Sequence, residues 1–284
     1  MPKATIDVLR RHARRVHDDV AAMLSTDAEL EEDAIHGLRV AAKEVRALWQ
    51  LLKPLLDDAR AEQAIASLGE AAASLSEARD QYVTADTLAR LCRRARSKDA
   101  RHALESALQL LQAGRSDKGT RAVASRQLRE TWAEDGKRWD TLDIRISQSE
   151  LISEGYGRLY RKAHRLTHSA VLNDDIQLWH SLRKWVKYLA LTLPLIDNSG
   201  KLENLCTDVA RLGKKLGRLH DLDRLLSELA ALEWPDHGSE RAAYVGHLVH
   251  REMGALLEEC AALAKDLFHD EPRSFIRELK RQSR

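Results

Sequence analysis

His36, Arg39, Lys43 and Arg46 fall at i, i+3, i+7 and i+10 in the stretch HGLRVAAKEVR. On a helix that turns about 100° per residue, they share an arc of roughly 80°. A face built only from imidazole, guanidinium and ammonium groups offers N–H donors and positive charge, which is chemistry for holding an anion. Guanidinium pairs its donors to phosphate oxygens, ammonium is a mobile point charge, and imidazole gains charge as pH falls from about 7.5 to 6. Leu38, Ala41, Val45, Leu48 and Leu52 take the opposite side, so the same helix keeps an apolar face for a core.

The pattern recurs. His180, Arg183, Lys184 and Lys187 line one face of a second segment, with Leu178, Leu182, Trp185, Val186 and Leu189 opposite. Arg158, Arg161, Lys162 and Arg165 form a third stripe; Arg211, Lys214, Lys215 and Arg218 a fourth; Arg10, Arg11 and Arg14 repeat it near the N-terminus. The ordinary alternative is a solvated face. Such faces usually mix signs, because like charges at i,i+4 cost about a few tenths of a kcal/mol. Several nearly unmixed stripes point instead to a polyanion that supplies the counter-charge. The chain as a whole is almost neutral, with 46 Lys plus Arg against 44 Asp plus Glu and a net charge of +2. Basic surface must therefore come from segregation, and acidic residues do gather elsewhere: ELEED from Glu29, Asp57-Asp58, Glu258-Glu259 and Asp270-Glu271.

The elements that carry these stripes read as helices throughout. Thirteen glycines and five prolines in 284 residues, with 44% hydrophobic content, predict a globular all-α chain. Helices are expected from Thr5 to Leu24, from Ala34 to Lys53 between an Asp33 cap and Pro54, and over roughly 60–95 and 99–112. GRSDKGT from Gly114 and AEDGKRWDTLDIRISQSE from Ala133 are the least periodic stretches and read as linker, with a helix between them.

Beyond the linker the sequence repeats itself. HGLRVAAKEVRALWQLLKP finds a partner about 140 residues on in HSLRKWVKYLALTLP, which sets His36 on His180, Arg39 on Arg183 and Lys43 on Lys187. Each copy meets a proline, Pro54 or Pro194, and each follows acidic residues, Asp33 or Asp174-Asp175. LSEARDQY at Leu75 matches LGRLHDLD at Leu216, aligning Asp80 with Asp221, and LRRHAR at Leu9 matches YRKAHR at Tyr160. The expected organisation is a first helical bundle over 1–132, a linker over 133–150 and a second bundle over 151–284.

Catalytic machinery is not evident. His164 and His168, or His247 and His250, have chelating spacing but no third ligand, and no HExxH occurs. Asp221 and Asp223 could hold Mg²⁺ beside phosphate, although an Asp beside Arg and His commonly orients them. No glycine-rich phosphate cradle is present. Trp49, Trp179 and Trp185 fit helix packing better than base stacking. Cys92, Cys206 and Cys260 are far apart, which suits a reducing cytoplasm, and no stretch approaches the about 18 apolar residues of a membrane span.

The doubled H-x-x-R-x-x-x-K pattern at His36 and His180, with LGRLHDLD, resembles the conserved histidine α-helical domain, or CHAD. The resemblance runs from about Leu9 to Phe268. It implies two four-helix bundles related by pseudo-two-fold symmetry, a basic central groove or channel that binds inorganic polyphosphate, and association with polyphosphate granules. It also implies a stand-alone domain, because the E-x-E-x-K signature of the CYTH domain carried by some members is missing from the sequence. Matched residue by residue, the groove would be lined by His36, Arg39, Lys43, Arg46, His180, Arg183 and Lys187. Arg10, Arg14, Arg161 and Arg165 would add to it from the first helices and Lys214, Lys215 and Arg218 from the third, with Arg79, Asp80, His220 and Asp221 in support. Ala190 stands where Arg46 is matched, and Tyr82 where Asp223 is. Glu70, Ala73, Ser74 and Glu77 stand at the positions matching Arg211, Lys214, Lys215 and Arg218, which predicts a more basic C-terminal side.

The expectation is thus a non-catalytic, cytoplasmic polyphosphate-binding protein with no cofactor. A nucleic-acid binder using the same groove is the alternative, and an enzyme of polyphosphate metabolism is a third reading. Oligomeric state stays open.

Overall fold

The computed structural model describes residues 5–25, 30–56, 59–75, 77–113, 126–173, 175–197, 199–235 and 238–283, all helical or in short connections with no strand among them. The chain is all-α, as its composition predicts. It packs as two compact units, each assembled from separated segments. The first takes residues 1–75, 122–213 and 263–284, and the second 76–121 and 214–262. This division does not follow the halves 1–132 and 151–284.

In the first unit, α1 (Thr5–Met23) and α2 (Glu32–Leu52) pack together, and α2 also lies against α3 (Arg60–Ser74). The reason is the apolar stripe: Leu38, Ala41, Val45, Leu48 and Leu52 are all buried. The Asp33 cap is corrected, since the helix begins two residues earlier with Glu31 at the N-cap and Asp33 in its first turn. Pro54 then ends α2 in a 3-10 turn, Lys53–Leu55, because proline has no N–H to extend the ladder. The 60–95 segment also differs from expectation. Leu75, buried, leaves the helical region (φ −94°, ψ 5°) and ends α3, and the chain restarts as α4 (Glu77–Arg94). Helix-favouring alanines on both sides conceal that turn from periodicity.

The first part of the expected linker is helical and packs into the core. Ala133–Asp140 completes α6 (Arg126–Asp140), which packs on α1 and α3. Trp132, Asp135 and Trp139 are buried there, and Trp139 lies 4.5 Å from Trp49 between ring centres. Its polar composition misled because three buried side chains, spaced at a helical interval, carry the packing. GRSDKGT lies outside the described residues.

Ser147 opens the next segment with a reciprocal capping box to Glu150 in the one-turn α7 (Gln148–Glu150). A π-helical turn, Leu151–Tyr156, leads into α8 (Gly157–Leu172). The turn passes so close to α2 that a Cβ on Gly155 would sit 2.6 Å from the Leu51 carbonyl oxygen. Asp175 caps α9 (Ile176–Thr192) by accepting from the Gln177 N–H at 2.8 Å, and α9 ends like α2, in a 3-10 turn that holds its proline, Leu193–Leu195. Helix α9 packs on both α8 and α2, while α12 (Pro272–Gln282) covers α8. There Phe275 stacks on Tyr160 at 3.8 Å.

The second unit contains α4, α5 (Lys98–Ala113), the C-terminal part of α10 (Glu203–Ala230) and most of α11 (Gly238–Leu267). Polar ties join these helices: Thr84 Oγ1 donates to Glu228 at 2.7 Å, Arg94 pairs with Glu252 at 3.2 Å, and Lys215 pairs with Glu259. Among the described residues, no helix is long and apolar enough to cross a membrane.

Candidate anion-binding site

Three helices of the first unit bring cations together. The i+3/i+7 spacing on α2 leaves Arg39, Lys43 and Arg46 half-buried at the edge of its apolar face, with His36 exposed one turn before them. On α9, His180, Arg183 and Lys187 are likewise half-buried and Lys184 is exposed. Because α2 packs directly on α9, these two stripes belong to one region of the fold. The Lys187 stem lies along α10, where a Cβ on Gly213 would meet its Cδ at 3.9 Å.

The sharpest concentration is at Arg46, Arg158 and Lys184. The Lys184 ammonium is held below the ordinary lysine range, first by partial desolvation and then by the charges of Arg46 and Arg158. Burial likewise lowers Arg158, with Arg161 adding to the effect and Tyr188 and Glu62 opposing it. Tyr188, on the same patch, is raised by its burial, although Arg46 and Arg158 pull the other way. The repulsion that Arg46 and Arg158 exert on Lys184 is one that a bound anion would relieve.

Arg158 is set by the residues around it. Its Nη1 donates to both the backbone oxygen and Oε1 of Gln50, each at 3.0 Å, and its guanidinium lies 5.3 Å from the Trp185 ring centre. The π turn immediately before α8 brings the chain against α2 at the place where that contact is made. Sequence reasoning put Arg158 on a cationic stripe but not among the groove residues. Its preceding Gly155 and Gly157 were the available signal. Trp49 and Trp179 are core, as expected, while Trp185 is half-buried beneath a cation.

Arg46 also borders an open groove of about 530 Å³ between α2 and α3, lined in part by Gln50, Lys53, Glu62, Gly69 and Glu70. Its guanidinium lies alongside Gly69, 3.5 Å from where a Cβ would be. Lys53 is paired to Glu62 at 2.6 Å, and Arg39 Nη1 donates to the Ala72 carbonyl at 2.9 Å, in the last turn of α3.

Other predicted residues have different surroundings. Arg10 is committed to Asp7 at 3.1 Å and to the Leu142 carbonyl at 2.7 Å, and Arg14 to Asp140 at 3.0 Å. Both clamp α1 to the end of α6. Arg161 and Arg165 are exposed on α8. Lys214, Lys215 and Arg218 fall in the second unit, together with half-buried His220 and Asp221. Arg218 borders a recess there with Arg90, Arg94 and Glu259. Arg79 and Asp80 lie outside the residues whose side chains are described. Among the described residues no cluster of three metal-ligating side chains occurs; His164 and His168 stand in ring contact at 4.7 Å.

The fold and this site define an all-α protein with a cationic helical surface. The CHAD domain family model matches residues 6–230, and the chain belongs to that family. Two solved structures share the fold, each with a TM-score of 0.60. PptA from Streptomyces chartreusis is 15% identical, the match covering 94% of this chain and 100% of that one. The CHAD domain from the plant Ricinus communis is 17% identical, with 95% and 93% covered. No curated protein sequence matches the chain.

Proposed function

We propose that the protein binds inorganic polyphosphate without chemically altering it, on the cationic surface of α2, α8 and α9. The observation that carries this reading is the convergence on Lys184 of the charges of Arg46 and Arg158, three cations from three different helices. A linear polyanion supplies counter-charge to that cluster, and its repeating oxygens match donors distributed along helix faces rather than converging on a single point. Membership in the CHAD family supports the same ligand, given what the sequence resemblance implies. Association with polyphosphate granules in the cytoplasm belongs to this proposal, as do the duplicated ancestry of the two halves and the roles of His36, Arg39, Lys43, Arg183 and Lys187 as further phosphate donors. Nucleic acid, as a phosphate polymer, is a competitor for the same surface; a specific nucleic-acid role would call for stacking platforms, and Trp49 and Trp179 are buried.

Calorimetric titration of long-chain polyphosphate into the wild type and into an Arg46→Gln/Lys184→Gln double variant tests the proposal, with duplex DNA and single-stranded RNA titrated at the same salt. Polyphosphate should bind more tightly than either nucleic acid, and the variant should lose at least about tenfold. A folded variant with unchanged affinity would remove the site. Phosphate release on incubation would replace binding by hydrolysis.

A further inference from the structure

The second unit contains a cleft unlike the cationic surface of the first. It has a volume of about 680 Å³ and lies among α4, the 95–97 connection, α5 and α11. Its lining is mixed. Arg94, Arg96 and Arg251 are exposed cations, set against a single acid, Glu252, which pairs with Arg94 at 3.2 Å. Between them lie Leu91, Leu104 and Leu248, with the last two only 3% and 9% exposed, and Tyr244, which is 40% exposed. Tyr244, Leu248 and Arg251 follow one another at i, i+4 and i+7, so one face of α11 presents ring, floor and cation in order. At the far wall, Ser97 accepts the Ala100 N–H at 3.1 Å and caps α5, adding the positive end of that helix to the arginines.

We propose that this cleft binds a nucleoside phosphate, with its ring against Tyr244 and the leucine floor and its phosphates between Arg94, Arg96 and Arg251. The lining selects this class. A bare phosphate chain has no apolar part and would leave Tyr244 and three leucines unused. A flexible acyl chain needs enclosure, whereas this cleft is open to solvent and its leucines form only a floor. A flat ring needs one exposed aromatic wall, which Tyr244 provides. Three arginines against one glutamate suit a head group with more than one negative charge. The volume falls in the range of small-ligand sites, about 300–1,000 Å³. This inference does not rest on polyphosphate binding in the first unit, and either can fail alone.

The test is saturation-transfer NMR with ADP, adenosine and pyrophosphate as separate probes, on the full chain and on the Tyr244→Ala and Arg251→Glu variants, whose helicity is checked by circular dichroism. ADP should bind saturably and at least about tenfold more tightly than adenosine or pyrophosphate. Tyr244→Ala should weaken ADP by about fivefold or more, the lower end of base–aromatic stacking, while leaving polyphosphate titrations unchanged. Arg251→Glu should weaken ADP by at least about tenfold. The proposal is overturned if ADP shows no saturable binding, if both folded variants bind it as the wild type does, if pyrophosphate matches it, or if decanoate displaces it at lower concentration.

Discussion

His17 on α1 and Asp135 on α6 meet through Nε2 and Oδ2 at 3.0 Å, while His17 Nδ1 lies 2.7 Å from the Ala13 carbonyl. Both ring nitrogens therefore face acceptors, which only the imidazolium satisfies with two donors. Asp135 is fully buried and also accepts from Trp49 Nε1 at 3.0 Å, and Trp132 packs edge-on against the His17 ring. Burial alone would lower the histidine's pKa. The hydrogen bonds to Asp135 and Ala13, with the charges of Asp135 and Asp140, outweigh it and leave the pKa raised.

A raised folded-state pKa stabilises the protein fully below the unfolded value of about 6.5, and that contribution is lost as pH rises through the folded value. Melting temperature should thus fall as pH is taken from about 6.5 to the alkaline side. His17→Leu should flatten this trend in thermal scans. It should also cost about 3–5 kcal/mol, because it strands a buried carboxylate.

Gly155→Ala places a methyl 2.6 Å from the Leu51 carbonyl oxygen and 2.8 Å from Leu51 Cδ1. Neither helix backbone yields easily, so denaturant unfolding should show a loss of about 1–3 kcal/mol. Polyphosphate affinity should fall as well, since Arg158 is displaced from Gln50.

Lys184 is charged against the resistance of desolvation, Arg46 and Arg158. A bound polyanion reverses that resistance, so binding at alkaline pH should take up protons. Calorimetry at about pH 9.5 in two buffers of different ionisation enthalpy measures the uptake. Lys184→Arg should abolish it while retaining affinity; persistent uptake would assign the proton to another group.

Arg158→Lys keeps the charge and loses the planar contacts to Gln50 and Trp185. Polyphosphate affinity should drop by about fivefold, corresponding to roughly 1 kcal/mol. An unchanged isotherm would make Arg158 a structural tie alone.

Salt dependence offers an independent check on the cationic surface. Log affinity should fall linearly with log salt, and the Arg46→Gln/Lys184→Gln variant should reduce the slope by about one to two units, according to the phosphates no longer neutralised. An equal slope in wild type and variant would mean that these two residues make no phosphate contact.

The apolar and cationic faces of α2 and α9 were legible because an isolated helix already separates them by angle. Leu38, Val45, Leu182 and Val186 are buried where periodicity places them. The two prolines marked the ends of these helices for a similarly local reason, the missing N–H. Ala133–Asp140 was not legible, since Asp135 and Gly136 look like loop residues until Trp49 and His17 stand opposite them. Arg10 and Arg14 share a stripe in sequence, yet Asp7, Asp140 and the Leu142 carbonyl engage them, and two of those partners are more than 100 residues away.

The sequence by itself determined that the chain is all-α, that cations are segregated from acids along its helices, and that it resembles the CHAD family. The first two follow from composition and from the 3.6-residue period, which act over a few turns; the resemblance rests on the doubled H-x-x-R-x-x-x-K pattern at His36 and His180 with LGRLHDLD. Tertiary structure alone decided which cations face one another. Arg46, Arg158 and Lys184 belong to three helices and lie 112 and 26 residues apart along the chain, and only the packing of α2 on α9 and the π turn before α8 sets Arg46 and Arg158 close enough to repel Lys184. Coulomb interaction depends on distance through space, which no local period encodes.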